Sequence, residues 1–189
     1  KLIENLSVRV EAGTMLIVRG ANGSGKSTLL RTLAGLLDGY EGAVTWDNKP
    51  ISIKENFHLA TNFLGDNNGL ADDLNGRENL ELHQKMCEKK KKGLNIDEAM
   101  KRFEVQNFQY QLVKYMSAGQ KQRLALSRLL MFDCPLWILD EPFNCIDRAT
   151  QTKLETEIDL RLNTGGIVLI ISHFAFKSQN NAKEIFLNG

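Results

Sequence analysis

Short apolar segments alternate with longer amphipathic ones along most of this 189-residue chain. Strand-sized apolar segments predict β-strands at residues 15–18, 58–64, 136–139 and 167–171. The last of these contains only Ile, Val and Leu, which is typical of a strand buried on both faces of a parallel sheet. Weaker strand patterns occupy residues 2–10, 43–46 and 51–53.

Apolar residues spaced three or four positions apart predict helices at residues 27–37 and 148–162. Residues from about 66 to 130 are different in character, because they are polar, rich in Asn and Lys, and mostly helical in pattern. We therefore predict one α/β domain over residues 1–189. In it, a helical subdomain at about 66–130 interrupts a doubly wound core, and a small β region lies at the N-terminus.

Composition and charge exclude several classes of protein. The net charge of +1 provides no strong field for nucleic acid, so we expect no nucleic-acid partner. Cys87, Cys134 and Cys145 form no C-x-x-C pair, which favours a reducing compartment over a disulfide framework. No apolar run approaches the roughly 18 residues of a membrane span, so a membrane role would require a partner. We interpret the lysine run 89–92 as a solvated surface.

A phosphate-binding loop is the most specific motif in the chain. Residues 20–27 read Gly-Ala-Asn-Gly-Ser-Gly-Lys-Ser and match G-x-x-x-x-G-K-[ST] between a predicted strand and a predicted helix. Glycines let the backbone wrap around phosphate oxygens, and the helix adds the positive end of its dipole. We expect Lys26 to neutralise the β- and γ-phosphates and Ser27 to ligate Mg²⁺. The candidate ATP-binding residues are Gly20, Ala21, Asn22, Gly23, Ser24, Gly25, Lys26, Ser27 and Thr28.

Two carboxylates follow the apolar strand 136–139. Ligands bind at the carboxyl ends of parallel strands, so Asp140 and Glu141 are expected beside the phosphates. Asp140 can hold the Mg²⁺ shell, and Glu141 can polarise an attacking water. His173 follows the strand 167–171 and can reach the γ-phosphate from the same edge of the sheet, although a lone histidine there is more often structural.

The segment Ser117-Ala118-Gly119-Gln120, twenty residues or so before Asp140, resembles the signature motif of ABC ATPases, commonly Leu-Ser-Gly-Gly-Gln. With the phosphate loop, the Asp-Glu strand, Asp147 and His173, it makes five motifs in the order of that superfamily. The resemblance covers essentially the whole chain. It implies a P-loop NTPase core of the ABC type and ATP hydrolysis with Mg²⁺.

The resemblance also implies a head-to-tail homodimer that holds two ATP molecules between its subunits. Ser117 and Gly119 precede a predicted helix and present N–H groups and a positive dipole end. In ABC proteins this surface closes on the γ-phosphate held by the opposite subunit. Asp147 would belong to the loop that crosses between the subunits.

Within the superfamily, the chain looks most like the ATP-binding subunit of the cytochrome c maturation (haem) export system. The resemblance lies in the local sequences of residues 63–65, 69–70, 78–80, 137–143 and 146–147, and in the Ser-Ala-Gly-Gln form of the signature. It implies integral membrane permease partners and release of a haem-loaded chaperone. It also implies a peripheral location on the cytoplasmic face of the inner membrane, or on the matrix face if the protein is organellar.

The chain departs from the ABC pattern at three places. Asp66 stands where the superfamily has Gln, and it can ligate Mg²⁺ while adding negative charge near the triphosphate. Ala118 stands where the commonest signature has Gly, at a cost of about 1 kcal/mol if that backbone needs a positive φ. The adenine-stacking aromatic residue usually lies some twenty-odd residues before the loop, so we expect either that the N-terminus is truncated at Lys1 or that base stacking is weak.

Three alternative functions stay open at this point. The chain can serve another ABC transporter, because the motifs recognise ATP and carry no information on the transported substrate. It can be a non-hydrolysing, ATP-dependent assembly clamp, for which Asp66 is the best support. A P-loop kinase is the third, but it leaves the signature and the combination of Glu141 with His173 unexplained.

Overall fold

The computed structural model describes residues 3–51, 54–173 and 181–187. A five-stranded sheet forms its centre, with the hairpin of β2 and β3 beside it. The strands are β1 (Met15–Gly20), β2 (Thr45–Trp46), β3 (Lys49–Pro50), β4 (Thr61–Leu64), β5 (Leu136–Asp140), β6 (Ile167–Ile171) and β7 (Ala182–Leu187). The order in the large sheet is β4-β5-β6-β1-β7, and every neighbouring pair is parallel. All five carboxyl ends therefore lie along one edge.

Successive residues of the central strands bury their side chains on opposite faces of the sheet. In β5, Trp137 and Leu139 join the core on one face, whereas Leu136 and Ile138 join the core on the other. The same alternation holds in β1 and β6. Burial on both faces explains the uninterrupted apolar runs in the sequence.

Helices cover both faces of this sheet. They are α1 (Lys26–Leu33), α2 (Lys54–Ala60), α3 (Gly76–Met86), α4 (Ile96–Arg102), α5 (Ala118–Leu130) and α6 (Arg148–Asn163). Short 3-10 turns at Val105–Phe108 and Val113–Tyr115 lie between α4 and α5. Leu30 of α1 belongs to one core, and Leu126 of α5 and Leu154 of α6 belong to the other.

The helices between β4 and β5 begin with strong local signals. Asn75, Asn95 and Ser117 each cap a helix and pair reciprocally with a Glu or Gln three residues later. A capping residue of this kind contributes about 1 kcal/mol to a helix. In the lysine run, Lys90 donates to the Thr61 carbonyl and Lys91 pairs with Asp133. Lys90 therefore connects this run to β4, whereas the other three lysines are exposed, as predicted for a solvated surface.

The elements predicted from the strongest apolar patterns are confirmed. The strands predicted at 15–18, 136–139 and 167–171 are present as β1, β5 and β6, and the helix predicted at 148–162 is α6. The helix predicted at 27–37 begins one residue earlier and ends at Leu33, since Gly35 adopts a positive φ.

Several weaker predictions were wrong. No strand forms between residues 3 and 10, where Leu6 and Val8 are exposed and Asn5 has a φ of 54°. The small N-terminal β region is therefore limited, among the described residues, to the β2–β3 hairpin. Strand β2 covers only the last two residues of the predicted strand 43–46. Strand β3 ends at Pro50, just before the predicted strand 51–53, and residues 52–53 lie outside the described part of the chain.

The strand predicted at 58–64 is in fact the end of α2 followed by β4. Thr61 Oγ1 donates to the Phe57 carbonyl at 2.8 Å, which closes the helix before the strand begins. A short apolar run does not distinguish these two structures by periodicity. The edge strand β7 was not predicted, because charged Lys183 and Glu184 interrupt its apolar pattern.

Candidate active site

The phosphate loop connects β1 to α1 and needs its glycines for specific reasons. Gly20 has a φ of 151°, and a Cβ there would lie 2.6 Å from both the Leu187 carbonyl oxygen and Ser24 Oγ. Gly25 is the N-cap of α1 with a φ of 91°, and it provides no side-chain cap. The first N–H groups of α1 are therefore left for a ligand, as expected of an anion-binding helix terminus.

Lys26 lies across this loop. Its Nζ donates to the carbonyls of Gly20 and Ala21, both at 2.9 Å. Backbone carbonyls hold the ammonium group without neutralising it, so the positive charge remains available to an anion in the loop. This position is compatible with the predicted neutralisation of phosphate by Lys26.

Asp140 ends β5 and is buried beside α1. Burial raises the pKa of its carboxyl above the ordinary value, while a hydrogen bond from the Ser27 hydroxyl opposes that rise. Asp140 Oδ2 is buried without a hydrogen-bond partner in the described part of the chain. A carboxylate oxygen of this kind beside a serine hydroxyl fits the hard oxygen ligands that Mg²⁺ prefers.

Glu141 and His173 approach each other from the ends of β5 and β6. The Glu141 N–H donates to the Ile171 carbonyl at 2.9 Å, and its backbone has a φ of 48°. This places Glu141 Oε1 3.4 Å from His173 Nε2. The carboxylate is mostly buried and the imidazole is largely exposed. An acid and a histidine therefore lie side by side at the carboxyl edge of the sheet.

Asp66 follows the carboxyl end of β4 and contacts a cation. Arg31 Nη2 donates to Asp66 Oδ1 at 2.7 Å, and the Asn67 N–H donates to the same oxygen at 2.9 Å. Arg31 was not predicted as a site residue. Its position four residues after Ser27, on the same side of α1, was the signal that could have identified it.

The signature segment forms the start of α5. Ser117 is the N-cap, and its hydroxyl accepts from the Gln120 N–H at 3.2 Å. The expectation that Gly119 precedes the helix was wrong, because Ala118 and Gly119 are in its first turn. Ala118 has no positive φ, so the alanine carries no backbone cost there.

Gly119 is required by a close contact within the chain. A Cβ on Gly119 would lie 2.6 Å from the carbonyl oxygen of Cys145, which is in the loop before α6. Asp147 caps α6, and its Oδ1 accepts from the Thr150 N–H at 2.8 Å. That hydrogen bond lowers the pKa of Asp147. The signature and the Asp147 loop are thus neighbours in one chain.

A cleft of about 660 Å³ brings most of the predicted residues together. Its walls include Lys26 and Ser27 of the phosphate loop, Asp140, Glu141 and His173. Other predicted residues in its lining are Asn22, Gly23, Gly25, Thr28, Asp66 and Ala118. The predicted residues outside this lining are Gly20, Ala21 and Ser24 of the phosphate loop, and Ser117, Gly119, Gln120 and Asp147. Lys121, Gln122, Asn144 and Cys145 contribute to it but were not predicted as site residues.

Comparison with known proteins identifies a family. The family model described as ABC transporter matches residues 3–144. The cytochrome c biogenesis ATP-binding export protein CcmA of Nitrosococcus oceani is 35% identical over 175 residues, covering 92% of this chain and 80% of that protein. Its counterpart from Methylococcus capsulatus is 35% identical over 188 residues, covering 99% and 91%.

A solved structure agrees on the fold. The dimeric post-hydrolysis state of an ATP-binding cassette, bound to ADP and phosphate, superimposes with a TM-score of 0.84. It is 23% identical, and the alignment covers 99% of this chain and 86% of the cassette. At that identity the likeness shows the α/β fold of ABC ATPase cassettes. In the described part of this chain, no helix is long and apolar enough to cross a bilayer.

Proposed function

This chain belongs to the ABC transporter family of ATP-binding proteins and is an ATPase, and we propose that it drives export in cytochrome c biogenesis. In this role it is the nucleotide-binding subunit of a membrane complex and releases a haem-loaded chaperone. Support comes from the similarity to the cytochrome c biogenesis export proteins over nearly the whole chain. The hydrolytic part rests on one observation above all, the contact of Glu141 with His173 beside buried Asp140.

The triphosphate is bound by the phosphate loop. The N–H groups at the start of α1, which have no side-chain cap among the described residues, hold phosphate oxygens, and Lys26 exchanges its carbonyl contacts for the β- and γ-phosphates. Asn22, Gly23, Gly25 and Thr28 line this position, and Gly20, Ala21 and Ser24 belong to the same loop. Ser27 and Asp140 would hold Mg²⁺, which would supply positive charge against the phosphate oxygens.

Glu141 acts as the general base that orients and polarises the attacking water. Its carboxylate is mostly shielded from solvent and lines the same cleft as Lys26 and Ser27 of the phosphate loop. His173 contacts the same carboxylate and lines the same cleft, and in this proposal it contacts the γ-phosphate. The attacking water and the γ-phosphate change charge during hydrolysis. Bases and donors that are already in position stabilise such changes most effectively.

The complete site is formed by a head-to-tail homodimer. Ser117 and Ala118 are exposed at the N-terminus of α5 and carry the positive end of its dipole. That end binds the γ-phosphate of ATP held by the opposite subunit, with Gly119, Gln120 and Asp147 at the same interface. The contact of Gly119 with the loop of Asp147 supports a shared surface. Hydrolysis removes the γ-phosphate between the subunits and lets them separate.

A membrane permease subunit docks beside the helices that follow β4. A second cleft, of about 430 Å³, lies there between β4, α3 and α5. Exposed Leu59 and Met86 provide apolar contacts, and Lys89 lies at the same cleft. A helix of the permease is its proposed occupant. The chain thereby sits peripherally on the cytoplasmic face of the inner membrane, or on the matrix face in an organelle.

The function is tested by purifying tagged, full-length protein from its native membranes in mild detergent. The co-purifying chains are identified, and the visible absorption spectrum is recorded before and after addition of ATP. Haem-bearing membrane partners that lose a chaperone on ATP addition are the expected result. A haem-free complex with another permease would retain the ATPase and overturn its role in cytochrome c biogenesis. The absence of any membrane partner would overturn the transport role and favour an assembly clamp.

A further inference from the structure

Arg31 holds a carboxylate inside the nucleotide cleft. It lies on α1, one turn after Ser27, and donates to Asp66 Oδ1 at 2.7 Å. The same oxygen accepts from the Asn67 N–H at 2.9 Å. A charged and a backbone donor on one oxygen fix the direction of the Asp66 side chain toward α1.

The charge of Asp66 matters because other negative groups surround it. Asp66 lines the cleft together with Asp140 and Glu141. Its charge is one of the causes that raise the pKa of Asp140, and the charge of Arg31 acts in the opposite sense. The Arg31 guanidinium therefore offsets a negative charge in the space that has to admit a triphosphate.

We propose that Arg31 is a positioning residue for nucleotide binding, which keeps Asp66 against α1 and compensates its charge so that the cleft accepts ATP. This role rests on the proposed nucleotide site. A glutamine at position 66, as in the ABC pattern, would need no such partner. Arg31 thus adapts this chain to its own aspartate.

The effect of Arg31 depends on the charge of the ligand. ATP without a metal brings its full negative charge to the cleft, whereas ATP with Mg²⁺ brings a cation that itself offsets nearby carboxylates. Loss of Arg31 is therefore more harmful to metal-free binding than to Mg²⁺–ATP binding. A substitution that only disturbed the structure would weaken the binding of metal-free ATP and of Mg²⁺–ATP equally.

The test is equilibrium binding of ATP to the full-length protein, in EDTA and in Mg²⁺. Arg31→Gln is expected to weaken binding in EDTA by roughly tenfold, and less in Mg²⁺. Arg31→Lys keeps the charge and retains most of the affinity. The double variant Arg31→Gln/Asp66→Asn removes both charges and returns binding in EDTA to near the wild-type value.

Arg77→Gln is the matched control, because Arg77 makes a similar contact with Asp97, at 2.7 Å, outside the lining of the nucleotide cleft. It should bind ATP like the wild type. Equal losses in EDTA and Mg²⁺, or the same loss with Asp66→Asn in place, would overturn the role of Arg31. Wild-type protein that bound no ATP would overturn the proposed nucleotide site and this inference with it. The two failures are distinguishable, since only the first leaves wild-type binding intact.

Discussion

Glu141 Oε1 lies 3.4 Å from His173 Nε2, although the two residues follow different strands of the sheet. The parallel pairing of Asp140 with Ile171 places both strand ends in register. The hydrogen bond from the Glu141 N–H to the Ile171 carbonyl then turns Glu141 toward the histidine. The contact of Glu141 with His173 is therefore a direct product of the register between β5 and β6.

The first prediction concerns Glu141→Gln, which keeps the shape of the side chain and removes the base. We expect ATP binding to persist and the hydrolysis rate to fall at least a hundredfold, in the range typical of a lost general base. With hydrolysis blocked, the ATP-bound dimer should accumulate. Steady-state phosphate release and gel filtration with ATP measure the two effects. Hydrolysis at the wild-type rate would remove Glu141 from the role of base.

The second prediction tests whether the signature works across a dimer. Ser117→Arg places a bulky cation at the exposed start of α5, so ATP-driven dimerisation should be lost in the Glu141→Gln background. Light scattering with and without ATP measures it. Asn95→Ala is the control, because it removes an equivalent capping box from α4 without touching the signature. Dimers formed by the Ser117→Arg protein would contradict the two-chain site.

The third prediction concerns the contact of Gly119 with the loop before α6. Gly119→Ala brings a methyl group within 2.6 Å of the Cys145 carbonyl oxygen, a backbone atom that has to move. We expect the free energy of unfolding to fall by about 1–3 kcal/mol, as for other overpacked sites. Urea denaturation measures the loss. Ala118→Ser, at the exposed neighbouring position, should change it much less; equal effects would show that the Cys145 contact is unimportant.

The sequence was sufficient for those parts of the site in which the chemistry is local. Lys26 and Ser27 stand in one continuous motif, and Asp140 and Glu141 end an apolar strand that could only be buried. His173 was predicted because parallel strands share an edge for their carboxyl ends. Each of these residues lies within, or shortly after, the sequence segment that predicts its position.

The remainder depends on tertiary contacts. The pairing of Arg31 with Asp66 requires α1 and the end of β4 to be adjacent, which neither segment indicates alone. Strand β7 has a charged interior and is stabilised by pairing with β1. Residues 3–10 have a strand-like apolar pattern, but they form no strand in the structure. Alternating apolar residues specify a strand only where a partner edge exists.

The fourth prediction concerns pH. Burial lowers the pKa of His83 to about 4 from an ordinary value of 6.5, and the charges of Arg128 and Lys90 lower it further in the same direction. The imidazole packs edge-on against the Phe132 ring, with 5.5 Å between the ring centres, and its Nδ1 lies 4.0 Å from Cys87 Sγ. The folded protein therefore holds His83 neutral.

Between these two pKa values the unfolded chain binds more protons at His83 than the folded chain does, so stability decreases as the pH falls. The expected loss from this residue between pH 7.5 and pH 5 is about 2 kcal/mol. Urea unfolding at both pH values should show a smaller decrease for His83→Phe than for the wild type. The exposed His58→Gln variant should keep the wild-type dependence. If His83→Phe lost as much stability as the wild type over this range, His83 would already be protonated in the folded protein, and its environment would be more open to water than its contact with Phe132 implies.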